Sequence, residues 1–186
     1  MDNRQPRLER AEEAVQSIIF AATNELLEEG LESITHRRIA ERANANLRST
    51  TYYFKSVKAL RREALKLAFA LNSRGRAAEI ENLASRKRTE LIDVLLLVTY
   101  GKDLSPKQLA VAQKNVLEAS IEPEYSDLIQ QMQTDVEVVV QQVLDHFAVK
   151  ADAKRVIALI DGRILEHVMS GGKTNINDCL HDDLGI

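Results

Sequence analysis

The sequence predicts an all-α protein: an N-terminal helix-turn-helix unit of three helices on a C-terminal helical bundle, about nine helices in total. Three observations lead there. The 186 residues include no Trp, only three Pro and much Leu, Ala, Val, Glu, Lys and Arg, a balance that favours helix. Apolar residues recur at steps of three and four through most of the chain, the period of a helix with one buried face. Capping residues fall at the ends of those periodic segments. The length allows one well-buried domain, or a small domain sharing a core with a larger one.

Leu8, Ala11, Val15, Ile18, Ala22 and Leu26 form the inner stripe of a first helix, and Gly30 sits just past its end, where a left-handed cap suits glycine. Thr35 is placed to cap a second helix through Ile39, Ala40 and Ala43, with Ile34 and Ile39 spaced as a hydrophobic staple. Asn44-Ala45-Asn46 then makes a tight turn, and Asn46 caps a third helix to about Tyr53. Phe54 folds back as a core anchor. Ser56 caps a fourth helix, Val57 to about Leu83, in which Asn72-Ser73 and Gly75 permit a kink. The next helix runs from Thr89 to Tyr100 and stops near Gly101. Ser105-Pro106 opens another to about Ile121, closed by Pro123. A long helix is predicted from Tyr125 to Phe147, with Leu128, Met132, Val136, Val139, Val140, Val143 and Phe147 on one face. Asp152 caps a helix to Met169, ended by Gly171-Gly172, and a short helix follows from Thr174. No repeat, low-complexity tract or flexible linker interrupts the series.

Cys179 is alone, so no intrachain disulfide is possible and nothing points to an oxidising compartment. The longest apolar run, Val94 to Val98, is too short to span a bilayer, and the opening MDNRQPRLER lacks the apolar centre of a signal peptide. A cytoplasmic protein without membrane partners is expected.

The net charge of −3 is unevenly spread. Residues 1–62 carry eleven Lys or Arg against nine acidic residues, and residues 63–186 fourteen against nineteen. Within residues 35–62 the count is eight against one, Glu41. Such a local excess reads as an anion-binding surface. A solvated helix face usually interleaves Glu with Lys for self-pairing, and inside this stretch those partners are missing.

Two short helices joined by a three-residue turn, the second rich in Arg, Ser, Thr and Tyr, describe a helix-turn-helix. A recognition helix offers its first residues to base edges, here Leu47, Arg48 and Ser49. Arg48 suits a bidentate contact to guanine and Leu47 a thymine methyl. Thr35 and Asn46 stand at helix N-termini, where backbone N–H groups favour phosphate. Arg37, Tyr52, Tyr53, Lys55 and Lys58 flank the reading residues, where phosphate contacts fix register.

The stretch THRRIAERANANLRSTTYYFKSVKAL, residues 35–60, resembles the DNA-binding signature of TetR-type bacterial transcription regulators. The shared outline is a long helix ending in Gly, an Ile-Ala-x-x-Ala helix, a turn, a Tyr-Tyr-Phe recognition helix and a Lys-Ser pair leading into helix four. The resemblance covers residues 15–69, and IDGRILEHVMSG, residues 160–171, is similar to the Asp-Gly segment of the family's penultimate helix. Asn44 replaces the usual turn glycine, and Thr50-Thr51 stand where Leu-Tyr is commoner, so contacts at that end of the recognition helix differ.

No P-loop, GxGxxG, nucleophile elbow or HExxH pattern occurs, and nothing argues for an enzyme or a cofactor. His36, His146, His167, His181 and Cys179 share no ligand-like spacing, so no metal site is expected; His36 is expected to meet phosphate or solvent. The resemblance implies that the middle helices enclose an effector pocket, for which Phe69, Leu96, Tyr100, Asn115, Glu118 and Met132 are candidates. Read singly, Met132 also suits core filling, and Asn115 and Glu118 also suit a watery face.

The resulting expectation is a ligand-responsive regulator, most simply a repressor. Residues 1–56 would read a pseudo-palindromic DNA operator, and residues 57–186 would bind a small-molecule effector and form a homodimer. Val156, Leu159, Ile160, Ile164 and Val168 supply a stripe at helical spacing for that dimer, which intrachain packing also claims. A helical ligand-binding or carrier protein without specific DNA recognition is the alternative.

Overall fold

A computed structural model describes residues 5–101 and 104–185, with side chains from residue 9. Nine α-helices occupy the described residues, and no strand occurs among them. They are α1 (Gln5–Glu29), α2 (His36–Arg42), α3 (Leu47–Tyr53), α4 (Val57–Asn82), α5 (Leu91–Tyr100), α6 (Pro106–Ser120), α7 (Ser126–His146), α8 (Ala153–Met169) and α9 (Ile176–Leu184). Single 3-10 turns stand at Leu31–Ser33, Leu83–Ser85, Arg88–Glu90 and Pro123–Tyr125. The Leu8 side chain expected on the first stripe lies outside the described residues. No described helix is long and apolar enough to cross a membrane.

The first compact unit runs to Phe69 and takes in Lys114–Leu128; the second comprises Ala70–Gln113 and the chain from Ile129 on. The first therefore extends beyond residue 56. Its core is Ile18, Ala22, Leu26, Ile34, Ile39 and Leu60, all essentially inaccessible, with Phe54 folded back as the sequence predicts. The core of the second is built from Leu95, Val98, Val140, Leu144, Val156 and Ile160.

Several predicted local features differ in detail. Gly30 has φ 101° and ψ 171°, so it is extended with positive φ rather than a left-handed helical cap; glycine is still what that φ requires. α4 is uninterrupted through Asn72, Ser73 and Gly75. The fully buried residues of α7 are Ile129, Val140, Val143 and Leu144, whereas Leu128, Met132, Val136 and Val139 are half-buried. Val140, Val143 and Phe147 of the expected stripe are thus in the core, where Leu144 joins them, with Val136 and Val139 packed against it; Ile129 is buried as well. On α8, Val156, Ile160 and Ile164 are consumed by the second unit's own core. The exposed α8 stripe is Ala158, Gly162, Leu165 and Met169, spaced four, three and four apart.

A buried amide ties α1 to α6 inside the first unit. Asn115 Oδ1 accepts from the Leu31 N–H at 2.7 Å, and Asn115 Nδ2 donates to the Leu26 carbonyl at 2.9 Å. These groups stand where α1 ends and the chain turns, where helical backbone partners run out. A Cβ on Gly30 would sit 3.3 Å from the same Oδ1, so a side chain there would press on this amide. Asn115→Leu strands the buried Leu31 N–H, while Leu26 O keeps the Gly30 N–H as donor. A loss of about 1–3 kcal/mol is expected. It should appear as a lower urea midpoint at unchanged slope; an unchanged midpoint would show that the amide is dispensable.

Candidate functional site

The helix-turn-helix is built as its local sequence dictates. Thr35 Oγ1 accepts from the Arg38 N–H at 3.2 Å and opens α2, with Ile34 and Ile39 fully buried on either side of the cap. Asn44 takes φ 49° in the turn, a left-handed conformation that asparagine tolerates. Asn46 Oδ1 accepts from the Arg48 N–H at 2.9 Å and opens α3. Thr50 is fully buried, its hydroxyl donating to Leu47 O at 2.9 Å and lying 3.5 Å from His36 O on α2. It therefore packs α3 on α2 instead of facing outward.

α2 is fastened to α1 by a carboxylate. Glu25 lies on the buried stripe of α1 with Ile18, Ala22 and Leu26, and its side chain is 2% exposed. Arg42 Nη1 donates to Glu25 Oε2 at 2.9 Å, and Arg38 Nε lies 2.7 Å from Oε1. Arg42 also donates to Glu28 at 2.6 Å.

Apart from Glu41, charge partners for residues 35–62 come from elsewhere in the unit, which corrects the sequence reading. Arg37 pairs with Glu41, Arg38 and Arg42 with Glu25, Arg61 with Glu32, Arg62 with Asp127, and Lys58 with both Glu122 and Glu124. Arg48 and Lys55 are the two basic residues of the stretch left without an ion pair among the described residues. Both are exposed on α3 or just past its end.

α3 presents one outward face made of Leu47, Arg48, Thr51, Tyr52 and, just past the helix, Lys55. Leu47 is 47% and Tyr52 69% exposed, a large apolar exposure for so short a helix. Lys55 Nζ lies 5.1 Å over the Tyr52 ring, which in turn meets Tyr53 edge-to-face at 5.2 Å. Of the predicted DNA contacts, Leu47, Arg48, Tyr52 and Lys55 are therefore brought together. Ser49 and Tyr53 are half-buried beside them, and Thr35 and Asn46 are exposed at their helix starts with side chains spent on capping. Arg37 is exposed but paired, and Lys58 is held by its two glutamates. Thr51 shares that face, its hydroxyl donating to the Leu47 and Arg48 carbonyls at 3.1 Å.

The second unit contains an open cleft of about 670 Å³. Leu96, Leu97, Leu104 and Leu109 supply apolar wall, and Glu79, Asp93 and Tyr100 polar groups. Glu79 is paired with Arg86 at 2.7 Å, and Asp93 accepts from Asn177 at 2.6 Å. The Tyr100 hydroxyl is spent on Asp161 at 2.7 Å, with Gln113 donating to it at 3.2 Å. Burial, then the Asp161 charge, raise the phenol's pKa, so the ring faces the cleft as a neutral group. Of the six effector candidates only Leu96 and Tyr100 line it. Met132 belongs to the second unit but does not line this cleft, and Phe69, Asn115 and Glu118 belong to the first unit. Asn115 neither faces water nor has a free amide, and Glu118 lies 3.6 Å from Lys114.

This all-helical arrangement is shared with solved structures of transcriptional regulators. A protein from Saccharomonospora viridis, described as a transcriptional regulator and solved in complex with choline, matches with a TM-score of 0.71 at 20% identity over 94% of each chain. The multidrug binding protein EbrR complexed with ethidium matches with a TM-score of 0.64 at 23% identity, over 93% of this chain and 96% of that one. A transcriptional regulator from Rhodococcus sp. Rha1 matches at 0.66 and 15% identity, over 91% and 93%. At these identities the likeness establishes the fold. No family model matches the sequence, and no curated protein matches it.

His36, expected to meet phosphate or solvent, is half-buried, and its Nδ1 has no hydrogen-bond partner among the described residues. Burial lowers its pKa. The unfolded chain, with an ordinary value of about 6.5, takes up the proton first as pH falls. Stability should thus be intact above that value and decline as pH drops through it toward the folded pKa. His36→Gln should flatten that decline, measured by urea midpoints between about pH 7.5 and 5.5. Identical profiles for the two chains would refute a His36 whose partial burial disfavours the proton.

Proposed function

We propose that the chain is a TetR-type, ligand-responsive transcription regulator, most simply a repressor. It would bind a pseudo-palindromic operator as a homodimer, with residues 1–56 reading DNA and residues 57–186 binding the effector and dimerising. The observation that carries this reading is the outward face of α3, where the two unpaired cations of the basic stretch, Arg48 and Lys55, stand beside exposed Leu47 and Tyr52. Such a face offers base-edge and phosphate contacts together. Two copies are needed because one helix-turn-helix reads too few base pairs, and a dimer places recognition helices about 34 Å apart. The exposed α8 stripe of Ala158, Gly162, Leu165 and Met169 offers small and apolar residues for that contact.

Selection of bound fragments from random DNA by the purified protein should return a palindromic motif carrying two chains per duplex. Arg48→Ala should cost roughly 1–3 kcal/mol on that motif and relax the preference at one position, while Lys55→Ala weakens all sequences alike. Equal losses on motif and random duplex for Arg48→Ala would remove its base-reading role. Failure to select any motif would favour the carrier reading.

The cleft supports control by a small molecule. Its volume falls in the range of ligand sites, and its lining carries two carboxylates, Glu79 and Asp93, against one guanidinium, Arg86. That balance suits a modest-sized, partly hydrophobic effector, neutral or cationic; choline and ethidium, bound in two of the similar structures, are cations. A hundredfold preference for the DNA-incompetent state supplies about 2.7 kcal/mol. By reciprocity, saturating operator must weaken effector binding by the factor with which effector weakens DNA binding. Calorimetric titration with and without operator checks it, and a ligand whose affinity does not change is not the effector.

A further inference from the structure

We propose that the turn between α6 and α7 is an internal competitor for DNA phosphate, holding the first turn of α4 until a duplex displaces it. The inference rests on the DNA-binding reading above.

Lys58 Nζ donates to Glu122 Oε2 at 2.8 Å and to Glu124 Oε1 at 2.9 Å, so two of its three donors face carboxylates 64 and 66 residues away. One helical turn later, Arg62 grips Asp127 with both terminal nitrogens, at 2.8 and 2.5 Å, and also donates to the Glu124 carbonyl. Between these acids the Tyr125 side chain is fully buried, and its hydroxyl donates to the Lys58 carbonyl at 3.4 Å. The buried ring pins the turn, so the carboxylates are presented to α4 rather than left to swing in water. All of these groups belong to the first unit.

A pair of carboxylates around one ammonium offers what two phosphate oxygens offer. Lys58 lies three residues past Lys55, at the start of the helix that follows the reading unit, where a cation contacts phosphate without reading sequence. In the chain as folded, that contact is already occupied. Lys58, Glu122 and Glu124 are each 40–50% exposed, so the clasp is open to water and exchangeable, and salt screens it. It competes with DNA; it does not lock the surface. Hydrogen bonding to Lys58 lowers the Glu124 pKa, and that from Arg62 holds Asp127 down to about 2. Glu124 and Asp127 therefore stay charged wherever DNA binding would be measured. Any change that moves this turn would alter how much cation the surface offers.

Because a phosphate contact is indifferent to sequence, a duplex of random sequence is a sufficient probe. Glu122→Gln with Glu124→Gln should raise its affinity roughly three- to eightfold near 0.1 M salt and steepen the logarithmic salt dependence by about one. In a Lys58→Ala background the same two substitutions should change affinity less than about twofold, since no ammonium is left to release. An equal gain in both backgrounds would mean that only the overall negative charge mattered, and would overturn the clasp. So would no gain in the chain with Lys58, provided that the chain binds duplex. A chain that binds no duplex at any salt overturns the DNA reading and the clasp with it.

Discussion

The docking of α2 on α1, and with it the outward face of α3, turns on one buried carboxylate. Glu25 occupies a position on α1 that the helical period assigns to the core, and its side chain is closed off from solvent. A charge in such a place is costly unless it is paired and hydrogen-bonded. Arg42 and Arg38 both turn to it from α2. The net stabilisation from such a pairing is small, because desolvation offsets most of the attraction. What the pairing supplies is register: it favours the docking of α2 on α1 that brings both guanidinia to the carboxylate. Thr50 and the buried Ile39 and Ala40 then set α3 on α2, so the outward direction of Leu47, Arg48, Thr51 and Tyr52 is inherited from Glu25.

The same pairing changes what the basic stretch means. An excess of seven positive charges over residues 35–62 suggests a broad attractive field, yet six of the eight cations are tied to acids of their own unit. Ion pairs of this kind cancel much of the field beyond a Debye length. The positive charge that stays uncommitted is local and sits on the outward face of α3 and just past its end. Arg61 and Arg42 serve the fold first: Arg61 bridges Glu32 and lies 3.4 Å from the Ile34 carbonyl, which fastens the segment before α2 to α4.

What could be read from the sequence was whatever is decided within a few residues. The caps at Thr35, Asn46, Ser56 and Asp152 each bond a backbone N–H two or three residues ahead, and the Ile34–Ile39 staple spans five. These follow from spacing alone, and so do the helix count and the turn at Asn44. The acids that neutralise the basic stretch come mostly from 14 to 66 residues away, beyond any local pattern. Asn115 was equally hidden, since nothing near it signals bonds to Leu26 and Leu31. Ala148 takes φ 53° at the end of α7, where glycine would have announced the turn. The phase of α8 was also open: periodicity shows that a stripe exists, but which of two adjacent stripes turns inward depends on the partner helices.

A common rule separates fold from function here. Thr50 and Asn115 are buried and hydrogen-bonded to the chain itself, and Glu25 is paired with Arg38 and Arg42, so the Asn115 amide that looked available is not. Where large apolar side chains are exposed together, no intrachain partner claims them. On α3 that exposure coincides with unpaired cations, the combination a polyanion with apolar base edges would meet. On α8 it coincides with Ala158 and Gly162, at whose position an added Cβ would meet nothing within 4 Å, the combination a second helix would meet at close approach. The uncommitted surface thus includes a charged and aromatic face on α3 and a small and apolar stripe on α8.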